Sequence, residues 1–110
     1  MFLPSIKTLL LAMMCNNLEW LAHRIKVQLN NATELHVKDY LFLDGSRKYS
    51  YHWQDAHGVC IIRWDNAPHH QAVATFPFHK HLGKQETITE SPPMKLMLAL
   101  DEIRKAMIYH

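Results

Sequence analysis

Two stretches of strict alternation dominate the middle of the chain. Ile25, Val27 and Leu29 are separated by Lys26 and Gln28, and after Asn30-Asn31 the apolar residues return at Leu35 and Val37 around His36 and Lys38. A period of two is that of a strand with one face buried, so these residues predict a β-hairpin about a polar turn. Its apolar residues share one face only if the connecting loop holds an odd number of residues. A second pair, Arg47 to Gln54 and Val59 to Asp65, flanks Asp55-Ala56-His57-Gly58, a turn with glycine at its end. Pairing directly across those residues sets Trp53 opposite Cys60, Tyr51 opposite Ile62 and Tyr49 opposite Trp64, an aromatic wall suited to a core. The other face then carries Ser50, His52 and Gln54 beside Val59, Ile61, Arg63 and Asp65. One side packs; the other is left for chemistry.

Beyond the hairpins the pattern changes. Pro4 suits an early helical position and Leu, Ala and Met dominate until Asn16-Asn17, which predicts a helix over residues 5–19. Near the other end Leu96, Leu100, Ile103 and Met107 follow helical spacing after the break at Ser91-Pro92-Pro93. Between Asp65 and that break, Asn66-Ala67-Pro68 reads as a turn and Thr87 to Thr89 as a short strand, while Pro77 confines any strand beside it to an edge. The expected fold is α+β: an antiparallel meander of four to five strands with an N-terminal and a C-terminal helix packed on its aromatic face, residues 1–110 forming one domain.

Composition narrows the class. With 110 residues, 48% of them hydrophobic and 20% charged, the chain has the makings of one globular core and not of a disordered segment. Two cysteines, Cys15 and Cys60, give no disulfide framework, and a reduced cytoplasm is the expected compartment. The apolar run from Leu9 to Met14 is far short of the ~20 residues that span a bilayer and lacks a cleavage pattern. It therefore reads as a core-facing helix, and no membrane partner is expected. A net charge of +2 selects no nucleic acid by itself. The histidines are more informative: six of the nine fall between His52 and His81. Histidine supplies acid, base and metal-ligand chemistry near neutrality from one side chain.

The cluster is built from distinctive stretches: Tyr49-Ser50-Tyr51-His52-Trp53-Gln54-Asp55, then Arg63-Trp64-Asp65-Asn66-Ala67-Pro68-His69-His70, then Thr75-Phe76-Pro77-Phe78-His79-Lys80-His81. In this order they resemble the TumE family of toxin–antitoxin toxins, with its YSYH-x-Q strand, R-[WY]-DNAPHH turn and FPHHKH loop. The resemblance runs from about Arg24 into the C-terminal helix. Asp65, Asn66, His69, His70, His79, Lys80 and His81 keep the pattern. Phe78 stands where the pattern has a histidine, which takes an acid, base or ligand away from that place. The resemblance implies a growth-inhibiting toxin, a cognate antitoxin (expected to be a helix-turn-helix protein) and RNA as the target; it leaves the oligomeric state open.

The residues allow three chemistries. The first is a metal-independent endoribonuclease with no cofactor, in which one histidine takes the 2′-hydroxyl proton and another protonates the leaving oxygen. His79 or His81 would be one partner and His69 or His70 the other, with Asp65 orienting a histidine tautomer. Arg63 and Lys80 would hold phosphate, and His52 and Asn66 would contact substrate. The second is a divalent-metal hydrolase or nuclease. On an extended segment His79 and His81 point to the same side and, with His69 or His70 and Asp65, would suit zinc or manganese, though the spacing matches no standard metal signature. The third is no enzyme but a toxin that acts by binding a cellular partner. Lys80, if close to its neighbouring rings, would depress their basicity. Asp65 also suits capping the Asn66 turn, and Arg63 an ordinary cross-strand charge. His36 and His57 carry no assigned role, and neither cysteine has a base partner in the sequence for nucleophilic work.

Overall fold

A computed structural model describes residues 15–21 and 24–108, with side chains from residue 24 onward. Among these residues there are seven strands and one helix. The strands are β1 (Cys15–Leu21), β2 (Arg24–Leu29), β3 (Glu34–Leu41), β4 (Arg47–Gln54), β5 (Cys60–Asp65), β6 (His79–Leu82) and β7 (Thr87–Glu90), followed by α1 (Leu96–Ile108). The strands form one antiparallel sheet in sequence order, each paired with the next. The α+β class stands, with more strands than the expected four to five.

Three consecutive hairpins explain why the apolar residues of β2 to β4 gather on one face. Leu29 pairs back on Thr33, Phe42 on Ser46 and Asp55 on Val59, so each loop holds three residues. The last residue of each loop is left-handed: Ala32 at φ 66°, Gly45 at φ 89° and Gly58 at φ 81°. An odd loop preserves parity, so Val27, Leu29, Leu35, Val37, Tyr49, Tyr51 and Trp53 all bury on one side. Only the register of the β4–β5 hairpin departs from expectation. Trp53 faces Ile62 and Tyr51 faces Trp64, two residues away from direct pairing, because the tighter loop shifts the ladder by one and a bulge at Cys60-Ile61 shifts it by one more. Two shifts restore parity, and the aromatic wall survives.

Helix α1 closes the apolar face. Ala99 and Ile103 are fully buried, and Leu96, Leu100 and Met107 pack beside them on the core. Its lead-in is tied down by polar bonds: Met94 N donates to the Tyr49 hydroxyl at 3.1 Å, and Arg47 donates to the Met94 carbonyl at 3.2 Å while also reaching Asp39 at 2.8 Å.

Two expectations need correction. Of the helix expected over 5–19, residues 15–19 belong to β1, paired with the open edge of β2; residues 5–14 lie outside the described residues. Ladder bonds to an unpaired edge outweigh the helix preference of that sequence. And the segment after Pro77 is not an edge: β6 starts two residues beyond the proline and lies between β5 and β7, with Pro77 outside the ladder.

Candidate functional site

Cross-strand pairing assembles the site. Arg63 pairs with His52 on one side and His81 on the other, and Asp65 pairs with Ser50 and His79. These residues therefore share the face opposite α1. Trp64 and Lys80 pair with each other and project to the helix side, where Lys80 lines a pocket with Trp64, Met94, Leu98 and Glu102. Lys80 is thus separated from the histidines by the thickness of the sheet. Trp53 and Trp64 are both buried in the core, as their face implied.

The long segment between β5 and β6 brings back a third ring. It is a chain of tight turns, with Val73 N bonded to the His70 carbonyl at 3.2 Å and Phe76 N to the Val73 carbonyl at 3.0 Å. Its end is anchored by the Thr75 hydroxyl, which donates to the Phe78 carbonyl at 2.6 Å and accepts from Ser91 N at 3.1 Å. Phe78 packs against the core, so an apolar contact occupies the place of the missing histidine. This folding lays the His70 ring edge-on against two others, with centroids 4.7 Å from His79 and 5.6 Å from His81; His79 and His81 are 5.0 Å apart. One nitrogen from each of the three lies within 4.8 Å of the others. The neighbouring His69 is exposed and joins none of these contacts.

Asp65 is the hub beneath the rings. One carboxylate oxygen stands 2.8 Å from His79 Nε2 and also accepts from Ala67 N at 3.0 Å; the other lies 3.3 Å from His81 Nε2 and 3.4 Å from Arg63 Nε. It caps the turn and orients histidines at once. On the far side of its ring, His79 Nδ1 is 2.9 Å from the Pro77 carbonyl, so the almost wholly buried imidazole is fixed at both nitrogens. Arg63 reaches from Glu86 at 3.1 Å to the His81 ring, 3.0 Å from Nε2. Asn66 is used structurally: its side chain accepts from Tyr49 N at 3.0 Å and donates to the Arg47 carbonyl at 2.7 Å, extending the ladder past the end of β5.

Two of the histidines on this face are held in their neutral form. Burial first, and the Arg63 guanidinium second, lower the basicity of both His81 and His52. The cation that does this is Arg63 and not Lys80. His52 Nε2 is buried with no hydrogen-bond partner among the described residues. Cys60 is buried and free, and burial pushes its thiol up, which argues against a thiolate nucleophile. Because the folded pKa values of His52 and His81 lie below the unfolded value of about 6.5, folding expels protons in the interval between them. Stability is then complete above about pH 6.5 and declines as pH falls toward the folded values. Melting curves should show the protein losing more stability than a His52→Gln variant between about pH 7 and pH 5.5. Parallel curves for the two would contradict this account of His52.

A glutamate and three cations on this face escaped the sequence reading. Glu86, at φ 51° in the β6–β7 turn, pairs with Arg63. Arg24, Lys38 and Lys48 become neighbours of the site only through strand register.

Among the described residues no helix is long and apolar enough to cross a membrane. The chain matches the family model described as toxin TumE over residues 19–107. No curated protein and no solved structure matches it.

Proposed function

The chain belongs to the TumE toxin family, the toxin side of a toxin–antitoxin pair whose partner is a cognate antitoxin, and on that footing we propose that it is an endoribonuclease that cuts RNA through the substrate's own 2′-hydroxyl. The observation that carries this reading is the meeting of His70, His79 and His81 over Asp65 and Arg63, on the sheet face opposite α1.

The roles follow from what each group touches. His81 is buried beside a guanidinium and kept neutral, which suits a base that removes the 2′-hydroxyl proton. His70 is half-buried at the mouth of the cluster and serves as the acid that protonates the leaving 5′-oxygen. His79, bonded at both ring nitrogens, is a positioning residue that holds Asp65 and packs against the other two rings. Arg63 supplies positive charge for the phosphorane, in a partly desolvated setting where such charge counts for more than in water. Lys80, on the other face, takes no part, and Asn66 shapes the turn.

A second reading has its own support: three imidazole nitrogens within 4.8 Å of one another would suit zinc or manganese. The Pro77 carbonyl against His79 Nδ1 resembles the outer bond that fixes a ligating ring. In that reading His70, His79 and His81 would hold the ion, which would supply an activated water, and Asp65 would stand beside His79 as a neighbouring carboxylate. The two readings part in one assay. Purified protein is incubated with labelled RNA and with the same sequence carrying 2′-O-methyl groups, each with and without chelator. The proposal expects cleavage of the plain RNA alone, unaffected by chelator and leaving 2′,3′-cyclic phosphate ends. Loss with chelator and recovery with zinc or manganese would establish the second reading. Growth arrest without cleavage under any condition would overturn both in favour of inhibition by binding.

A further inference from the structure

The face opposite α1 extends well beyond the histidines, and its register makes a line. From His79 the cross-strand partners run Asp65, Ser50, Lys38 and Arg24, which leads over four strand spacings from β6 to β2. At about 4.8 Å each, that is a path of roughly 19 Å. Lys48 lies beside it, paired with Tyr40 on the adjacent rung. Two adjoining hollows, of about 390 and 510 Å³, share Lys38, Lys48 and Ser50, and the first reaches Arg63 and Asp65.

We infer that Arg24, Lys38 and Lys48 form a binding track for single-stranded RNA, leading from the histidine cluster across the exposed face of β4, β3 and β2. This rests on the ribonuclease reading and adds the route by which substrate lies on the protein. The charge is arranged for it. All three cations are exposed, and among the described residues none of them is held by a carboxylate, unlike Arg47 and Arg63. At the opposite end of the face exposed Glu90 pairs with His79 on the β7 side, while Glu86 is already engaged by Arg63. A polyanion seated at the cluster is therefore drawn toward β2 and repelled from β7. Tyr40 and Phe42 line the second hollow with Arg24, Lys38 and Lys48, and Phe42 is 49% exposed. Aromatic rings interleaved with cations stack unpaired bases, which a duplex does not offer. An acidic protein segment would satisfy the cations but has no need of a path ending over the catalytic rings.

The test uses the whole chain and a fluorescein-labelled 2′-O-methyl RNA without secondary structure, a probe that lacks the attacking hydroxyl. Anisotropy titrations at several salt concentrations compare the natural chain with an Arg24→Ala/Lys38→Ala/Lys48→Ala variant and a control, Lys95→Ala/Lys105→Ala, on exposed residues at the helix. The track variant should bind at least tenfold more weakly, and its log–log salt slope should be shallower by about 2, from 0.7 per phosphate contact on a single strand. The control should match the natural chain. A natural chain that binds the RNA without cutting it, and a track variant that loses that binding, would sustain the track and sink the nuclease. A track variant that binds and cuts RNA like the natural chain would overturn the track alone. An intact RNA affinity with lost antitoxin binding would also overturn it, giving this face to the antitoxin.

Discussion

Replacing His81 by alanine is expected to lower RNA cleavage by about 10²–10⁴-fold, the range that one acid or base contributes. His81 meets the requirements for a base more fully than its neighbours: it is buried, it faces Asp65 and Arg63, and it is kept neutral. His70→Ala should fall by a similar factor, since the second proton transfer is lost. His69→Ala should remain near the activity of the natural chain, because that side chain is exposed and outside the cluster although it adjoins His70 in sequence. Single-turnover rates on labelled RNA, with growth arrest on expression as the cellular readout, order the three variants. Because alanine at a buried site also leaves a gap, His81→Gln should be as inactive while melting close to the natural chain. Full toxicity in both His81→Gln and His70→Ala would remove the site from this cluster.

The contrast between His69 and His70 shows what the sequence could and could not display. Alternation made β2 to β5 readable, because a strand with one buried face writes its period directly into the chain. The same alternation puts His52, Arg63 and Asp65 on the side opposite the core, and an extended His79-x-His81 is enough to place those two rings together. What alternation does not carry is register. A three-residue loop and a bulge moved the β4–β5 ladder by two residues without altering its faces. Lys80 shows the same limit in another form. Its neighbours in the sequence are the histidines, but on a strand adjacent residues face opposite ways, and its charge belongs to the helix side. The cation that does act on the rings, Arg63, sits 18 positions away from His81 in the chain. Segments without a clear period were the hardest to read. Nothing local tells whether β1 will join an edge, and β6 is a four-residue strand whose place between β5 and β7 is set by both neighbours.

The same hub role makes Asp65 the residue whose loss should cost the fold most among the polar groups of the site. Asp65→Ala removes the acceptor of His79 Nε2 and of Ala67 N together, and strips Arg63 of one of its two carboxylates. Taking one partner from a buried ion pair typically costs ~3–5 kcal/mol. The lower end, about 3 kcal/mol, applies here because Arg63 keeps Glu86 and is itself 29% exposed. For a domain of this size each kcal/mol moves the melting temperature by about 4 °C, so a fall of roughly 12 °C is expected. Asp65→Asn provides the discriminating comparison. An amide oxygen can still accept from Ala67 N, preserving the turn, while the charge facing the two histidines and Arg63 is gone. It should therefore recover much of the lost melting temperature but little of the RNA cleavage, since the orientation of His81 depends on the carboxylate. If Asp65→Asn restored activity together with stability, Asp65 would be a turn cap and nothing more, and the rings above it would take their alignment from packing alone.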